Sequence, residues 1–208
     1  MGLLQQFNAF QLKLLSELSL SKDFLTHLDQ DDDWSFIVKI HSLMEIAISY
    51  SLQKNFRPEL ADVFNKIDMN NKSYGKMVFV RKLGLIEKKL CDFIDLLSEM
   101  RNDFVHDIRK IELGISGYLL QLKSNKIDRY NRWIETLGAS LPAQIQMRDN
   151  KIPRDEFVVT IARAIILTFA MDTLMSIYMQ TSKRLSDHEW ELRLIRLGEE
   201  QLGLHDNS

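Results

Sequence analysis

Apolar residues recur at intervals of three and four along almost the whole chain, and this regularity restricts the fold more than any other feature of the sequence. Leu3, Leu4, Phe7, Phe10, Leu14, Leu15 and Leu18 form one stripe. Phe36, Ile37, Ile40, Leu43, Met44, Ala47 and Ile48 form a second, wider one. Leu90, Phe93, Ile94, Leu97, Met100, Phe104 and Ile108 form the most regular of all. Such spacing puts side chains on one face of an α-helix, whereas a half-buried strand requires strict alternation, and no segment alternates convincingly. Three prolines and eight glycines in 208 residues are too few turn formers for an all-β chain. The sequence therefore predicts one all-α domain over 1–208, an antiparallel helical bundle with C-terminal helices over 154–202 packed on it.

Capping and breaking residues set the expected boundaries. Asp31-Asp32-Asp33 supplies acidic caps for a long helix over 34–55. Pro58 opens a short helix over 58–67, polar residues 68–74 form a loop, and a helix over 75–83 closes at Gly84. Helices follow over 87–110 and 112–137. Residues 138–153, with two of the three prolines, form an irregular connection. Helices over 154–182 and 187–202 complete the chain.

Several function classes are excluded. The balance of 27 Lys+Arg against 29 Asp+Glu gives a net charge of −2, which leaves no broad basic face for a dedicated DNA binder. No helix-turn-helix with a basic recognition helix appears, so sequence-specific DNA reading is the weakest of the nucleic-acid roles. Cys91 is the single cysteine; it has no partner for an internal disulfide or a thiolate zinc site and points to a reducing compartment. The most apolar stretch, 157–179, is interrupted by Arg163 and Asp172 and reads as a buried core helix rather than a membrane span. A soluble, cytoplasmic protein is expected. Tyr74-Gly75-Lys76 lacks the rest of a phosphate loop, His188-Glu189 lacks the second histidine of a zinc helix, and Asp31 to Asp33 lacks calcium-loop spacing. No metal and no cofactor is expected. His41, on a mostly apolar helix, reads as a satisfied core or interface histidine.

One segment stands apart: Glu99-Met100-Arg101-Asn102-Asp103-Phe104-Val105-His106-Asp107, near the end of the best amphipathic stretch. Its Arg101-x-x-x-x-His106 skeleton, with polar Asn102 directly after the arginine, resembles the motif of the HEPN superfamily. The helix from Trp34 to Ile48, and the Lys76 to Ile86 segment before the motif helix, resemble the branch typified by the mannitol operon repressor. The resemblance covers residues 34–110, a HEPN-like core. It implies a small helical domain that forms homodimers and, in many members, cleaves RNA without a metal.

On that resemblance the site residues are Arg101, Asn102 and His106, with Asp103 and Glu45 in support. His106 would move a proton at the ribose 2′-oxygen or the leaving 5′-oxygen. Arg101 would grip the scissile phosphate and stabilise its transition state, and Asn102 would orient one of them. The product would carry a 2′,3′-cyclic phosphate. Helical geometry adds two expectations. Arg101 falls among Leu97, Phe104, Val105 and Ile108, so it should be buried or clefted and needs a carboxylate or phosphate partner, a carboxylate such as Glu45 if the motif is structural rather than catalytic. Arg101 and His106 are about 140° apart on an ideal helix. To reach one phosphate the arginine must bend round, the helix must distort, or a second subunit must supply one of them, and the resemblance implies the dimer. The wide apolar circumference of the 34–55 helix points to the same dimer. RNA contacts are expected from Lys88, Lys89, Arg109 and Lys110, with Arg81 and Lys82 nearby; Tyr118, Tyr130 and Trp133 follow in sequence, but nothing in the pattern supports base stacking on them. The expected activity is that of an endoribonuclease, as a toxin or defence effector partnered by an antitoxin. The alternative is a non-catalytic regulator or scaffold acting through protein partners.

Overall fold

In a computed structural model, residues 13, 15–21, 23–56, 60–139 and 154–201 are described, and no strand occurs among them. The fold is all-α. The elements are α1 (Phe24–Gln30), α2 (Asp33–Asn55), α3 (Ala61–Lys66), α4 (Lys76–Lys82), α5 (Lys88–His106), α6 (Ile108–Asn125), α7 (Ile127–Ala139), α8 (Arg154–Thr160) and α9 (Ala162–Gln201). Most of the first stripe, the Pro58 helix start and the 140–153 connection lie outside the described residues. Leu15 and Leu18 are buried.

The caps operate locally as expected. Asp32 accepts the Ser35 amide at 3.0 Å and opens α2. Gly84 closes α4 with φ +57, the left-handed conformation a glycine adopts without a steric cost. Three boundaries differ. The helix expected to run to residue 110 ends at His106, because Asp107 turns extended (φ −138, ψ 98) and its carboxylate accepts the Arg109 amide at 3.3 Å to start α6. The stretch 112–137 is not one helix: Gly114 (φ 63, ψ −175) kinks α6, and Lys126 breaks the chain between α6 and α7. Conversely, α9 continues unbroken through residues 183–186, which hold no proline or glycine.

The Gly114 kink has a tertiary cause. Asp33 Oδ2 accepts the Ile115 amide at 2.8 Å, capping the second part of α6 from another helix. Its Oδ1 receives Arg163 Nη1 at 2.7 Å. Arg163 also donates to the carbonyls of Leu28 and Asp31, and its guanidinium lies 4.2 Å from the Phe36 ring centroid. The starts of α2 and α9 and the middle of α6 are thereby tied at one point.

Paired contacts fix the helix directions. Asp33 meets Arg163 and Ser51 meets Thr181, so α2 and α9 run the same way. Phe93 packs on Phe169 while Lys89 lies near Asp172, so α5 opposes α9. Asp103 meets Arg129 and Glu99 meets Arg132, so α5 also opposes α7. The excursion from α3 through α8 is long enough to return the chain to the start of α2, which makes the parallel pair possible. One contiguous core joins these helices, from Leu28 through Phe36, Ile40, Phe93, Phe104 and Trp133 to Ile166 and Tyr178. Residues 154–184 thus form part of the core rather than an appendage to a 34–110 unit. Segment Ala162–Arg184 is long and apolar enough to cross a membrane by length and composition, with half of its most apolar window buried inside the fold.

The wide apolar face of α2 is covered by the chain's own helices: α1, α3, α4, α5, α6 and α9 all contact it. That removes the reason to expect a dimer from this helix, although Ile46 stays 41% exposed.

Candidate functional site

Helix α5 positions the Arg101 motif, and burial falls off toward its C-terminal end. Ile94 and Ser98 are buried, Arg101 is partly exposed, and Val105 and His106 are exposed. Of the two placements that its helical phase allows, buried or clefted, Arg101 does not take the fully buried one. Its head group is at the surface, where Nη1 donates to Asn102 Oδ1 at 3.0 Å.

Glu45 is not its partner. That carboxylate receives Lys76 Nζ from α4 at 3.0 Å, the lysine side chain being only 3% exposed. Apart from the Asn102 amide oxygen, Arg101 has no carboxylate or backbone-carbonyl partner among the described residues. In this it differs from the other arginines with described side chains. Arg81 pairs with Asp95, Arg109 with Asp107, Arg129 with Glu99 and Asp103, Arg132 with Glu99, and Arg163 with Asp33, while Arg184 binds the carbonyls of Leu83 and Gly84.

Asp103 does not support the motif either. Its carboxylate accepts the Tyr118 hydroxyl at 2.9 Å and Arg129 Nη1 at 2.8 Å, and Lys110 lies 3.2 Å away. Burial works against its charge, but Tyr118, Arg129 and Lys110 together outweigh it and hold the carboxyl below its ordinary range. This network joins α5 to α6 and α7 and explains why Lys110 is committed rather than free for RNA. Arg109 is likewise engaged, with Asp107 at 2.9 Å. Lys88 and Lys89 lie at the opposite end of α5, about 20 Å along the axis from Arg101 at 1.5 Å per residue. They line a cleft of about 800 Å³ with Asp92, Asp95, Arg132, Glu135 and Asp172, a mixed surface rather than a basic track. Tyr118, Tyr130 and Trp133 are buried, which removes them as stacking platforms.

His106 is the last residue of α5 and is exposed. The helix does not bring it onto the face of Arg101, in keeping with the angular separation. The imidazole close enough to Arg101 to feel its charge is His41 of α2, the histidine whose apolar helix reads as a satisfied core or interface position. It is 8% exposed, and its Nε2 is 3.1 Å from Ser98 Oγ, one turn before Arg101. Burial first, and the Arg101 charge second, hold this imidazole below its ordinary pKa, with Glu45 opposing them. No sequence motif joins positions 41 and 101. The available signal was the helical phase that puts Ser98 and Arg101 on one side of α5, three residues apart.

Among the described residues no three His, Cys, Asp or Glu side chains converge as a metal site. The geometry provides a guanidinium with free donors, an amide fixing it, a nearby buried imidazole and an exposed imidazole at the helix end. Such a set can bind an oxyanion and move protons around it. No family model matches the chain, and neither a curated protein nor a solved structure matches it.

Proposed function

We propose that the protein is a HEPN-type endoribonuclease that cleaves RNA to 2′,3′-cyclic phosphate ends without a metal ion and acts as a toxin or defence effector in the cytoplasm. The observation that carries this reading is Arg101. A helical arginine held by Asn102 and lacking any carboxylate or backbone-carbonyl partner among the described residues leaves its remaining donors open for a phosphate. His106, exposed where α5 ends, supplies the proton-moving group. Because the two lie on different sides of one helix, the working site takes Arg101 and Asn102 from one copy and His106 from its dimer partner.

The test is cleavage of a structured RNA pool by purified protein in EDTA, with end-group analysis. Cyclic phosphate ends, lost in His106→Ala and in Arg101→Ala, support the reading. Absence of any EDTA-resistant cleavage refutes it, and the non-catalytic regulator or scaffold acting through protein partners takes its place.

A further inference from the structure

We infer that His41 is a catalytic residue of the Arg101 site, the group that accepts the 2′-hydroxyl proton; this rests on the ribonuclease reading above. Three features carry it. First, His41 is the imidazole on Arg101's own side of the structure: it bonds to Ser98, which precedes Arg101 by three residues on α5, a rise of about 4.5 Å. His106 provides no such proximity within one chain.

Second, the hydrogen-bond geometry at Ser98 assigns a tautomer to the ring. The Ser98 hydroxyl has one proton, and it donates that proton to the Ile94 carbonyl at 2.8 Å. Toward His41 the Ser98 oxygen is therefore an acceptor, so His41 Nε2 carries the ring proton and donates. The lone pair is left on Nδ1, which has no hydrogen-bond partner among the described residues. A base oriented by a hydrogen bond at its other nitrogen is the arrangement that general-base histidines use.

Third, the surroundings keep the ring neutral and ready to accept. The charged groups facing it are Arg101 from α5 and Glu45 from its own helix, and Glu45 is already paired with Lys76 from α4. Burial and the guanidinium disfavour a second ring proton in the resting state. A bound phosphate offsets the Arg101 charge and restores the driving force for proton acceptance at the moment of reaction.

The step balances as follows. The 2′-O–H bond breaks and its proton goes to His41 Nδ1. The 2′-oxygen forms a bond to phosphorus while Arg101 holds the non-bridging oxygens, and the bond from phosphorus to the 5′-oxygen breaks. That oxygen takes a proton carried by His106. The products are a 2′,3′-cyclic phosphate and a 5′-hydroxyl, and the two imidazoles exchange protons with water to reset.

The experiment compares full-length wild type with His41→Gln on a defined RNA in EDTA, across pH, alongside thermal melts. Glutamine keeps an N–H donor near the Nε2 position, preserving the Ser98 contact, but has no titrating base. The expected result is a kcat lower by about 10²–10⁴-fold, KM within about twofold, and loss of the acid limb of the wild-type pH–rate profile. Ser98→Ala is the second variant and decides the matter if His41→Gln does not fold. It retains the imidazole but releases the tautomer, and kcat is expected to fall about tenfold with KM unchanged. Cleavage by His41→Gln at the wild-type rate, or an unchanged kcat in Ser98→Ala, overturns the role of His41 and leaves the ribonuclease reading standing. Wild-type protein that cuts no RNA overturns both.

Discussion

Arg101 lies on α5 and Arg129 of α7 pairs with two carboxylates of that helix, and the structure assigns the two arginines opposite consequences on removal. Arg129 lies 2.7 Å from Glu99 and 2.8 Å from Asp103, with its side chain 13% exposed. The Asp103 contact is a charge-assisted hydrogen bond, worth about 1.5–3 kcal/mol when buried, and the Glu99 contact is an ion pair. After Arg129→Ala, Glu99 regains water and keeps Arg132, while Asp103 keeps Tyr118 and Lys110. The net cost is therefore about 2 kcal/mol, below the roughly 3–5 kcal/mol of breaking a fully buried pair, because each carboxylate keeps another partner. For a chain of this size that lowers Tm by about 4–8 °C. Arg101→Ala removes one contact, to exposed Asn102, and strands no carboxylate; its cost is less than about 0.5 kcal/mol. Thermal melts of the two variants, measured beside RNA binding by fluorescence anisotropy, separate the roles. Arg101→Ala is expected to melt within about 2 °C of wild type and lose RNA affinity, and Arg129→Ala to melt lower while its folded fraction still binds. A fall in Tm for Arg101→Ala as large as that for Arg129→Ala would refute the reasoning, because Arg101 would then be neutralising a charge of the fold.

His106→Ala, at an exposed helix end, is expected to change stability by less than about 1 kcal/mol while cleavage falls about 10²–10⁴-fold, read by melts and single-turnover rates. Gly114→Ala forces a side chain into φ +63 and places a Cβ 2.7 Å from Asp33 Oδ2, so a loss of about 3 kcal/mol by urea denaturation is expected. Lys76→Met is expected to leave stability within about 1 kcal/mol, since Glu45 is 39% exposed and recovers water once the buried lysine is gone; a large loss would show that the ion pair is needed. Stability should also depend on pH through His41. Its folded pKa lies below the unfolded value of about 6.5, so its contribution is complete above that pH and declines as pH falls from there through the folded pKa. His41→Gln should flatten that part of the curve, and an identical slope in both proteins would contradict the assignment.

The sequence alone determined the helices, because a three-to-four apolar repeat satisfies burial in only one kind of local structure, and Asp32 and Gly84 act on their own turns. It also determined that Arg101, Asn102 and His106 lie on one helix, with His106 on a different side from Arg101. It did not determine what those side chains meet. The break at Asp107 and the kink at Gly114 depend on competition between helix continuation and side-chain caps, one of which comes from Asp33 more than eighty residues away. The same holds for charge partners: Glu45 went to Lys76, and Asp103 to Arg129 and Tyr118, because helix directions and phases bring those groups within bonding distance. The placement of His41 beside Arg101 belongs to this second class. A helix's own period says which side chains share its face, but only the packing of α2 against α5 decides which imidazole stands next to the arginine.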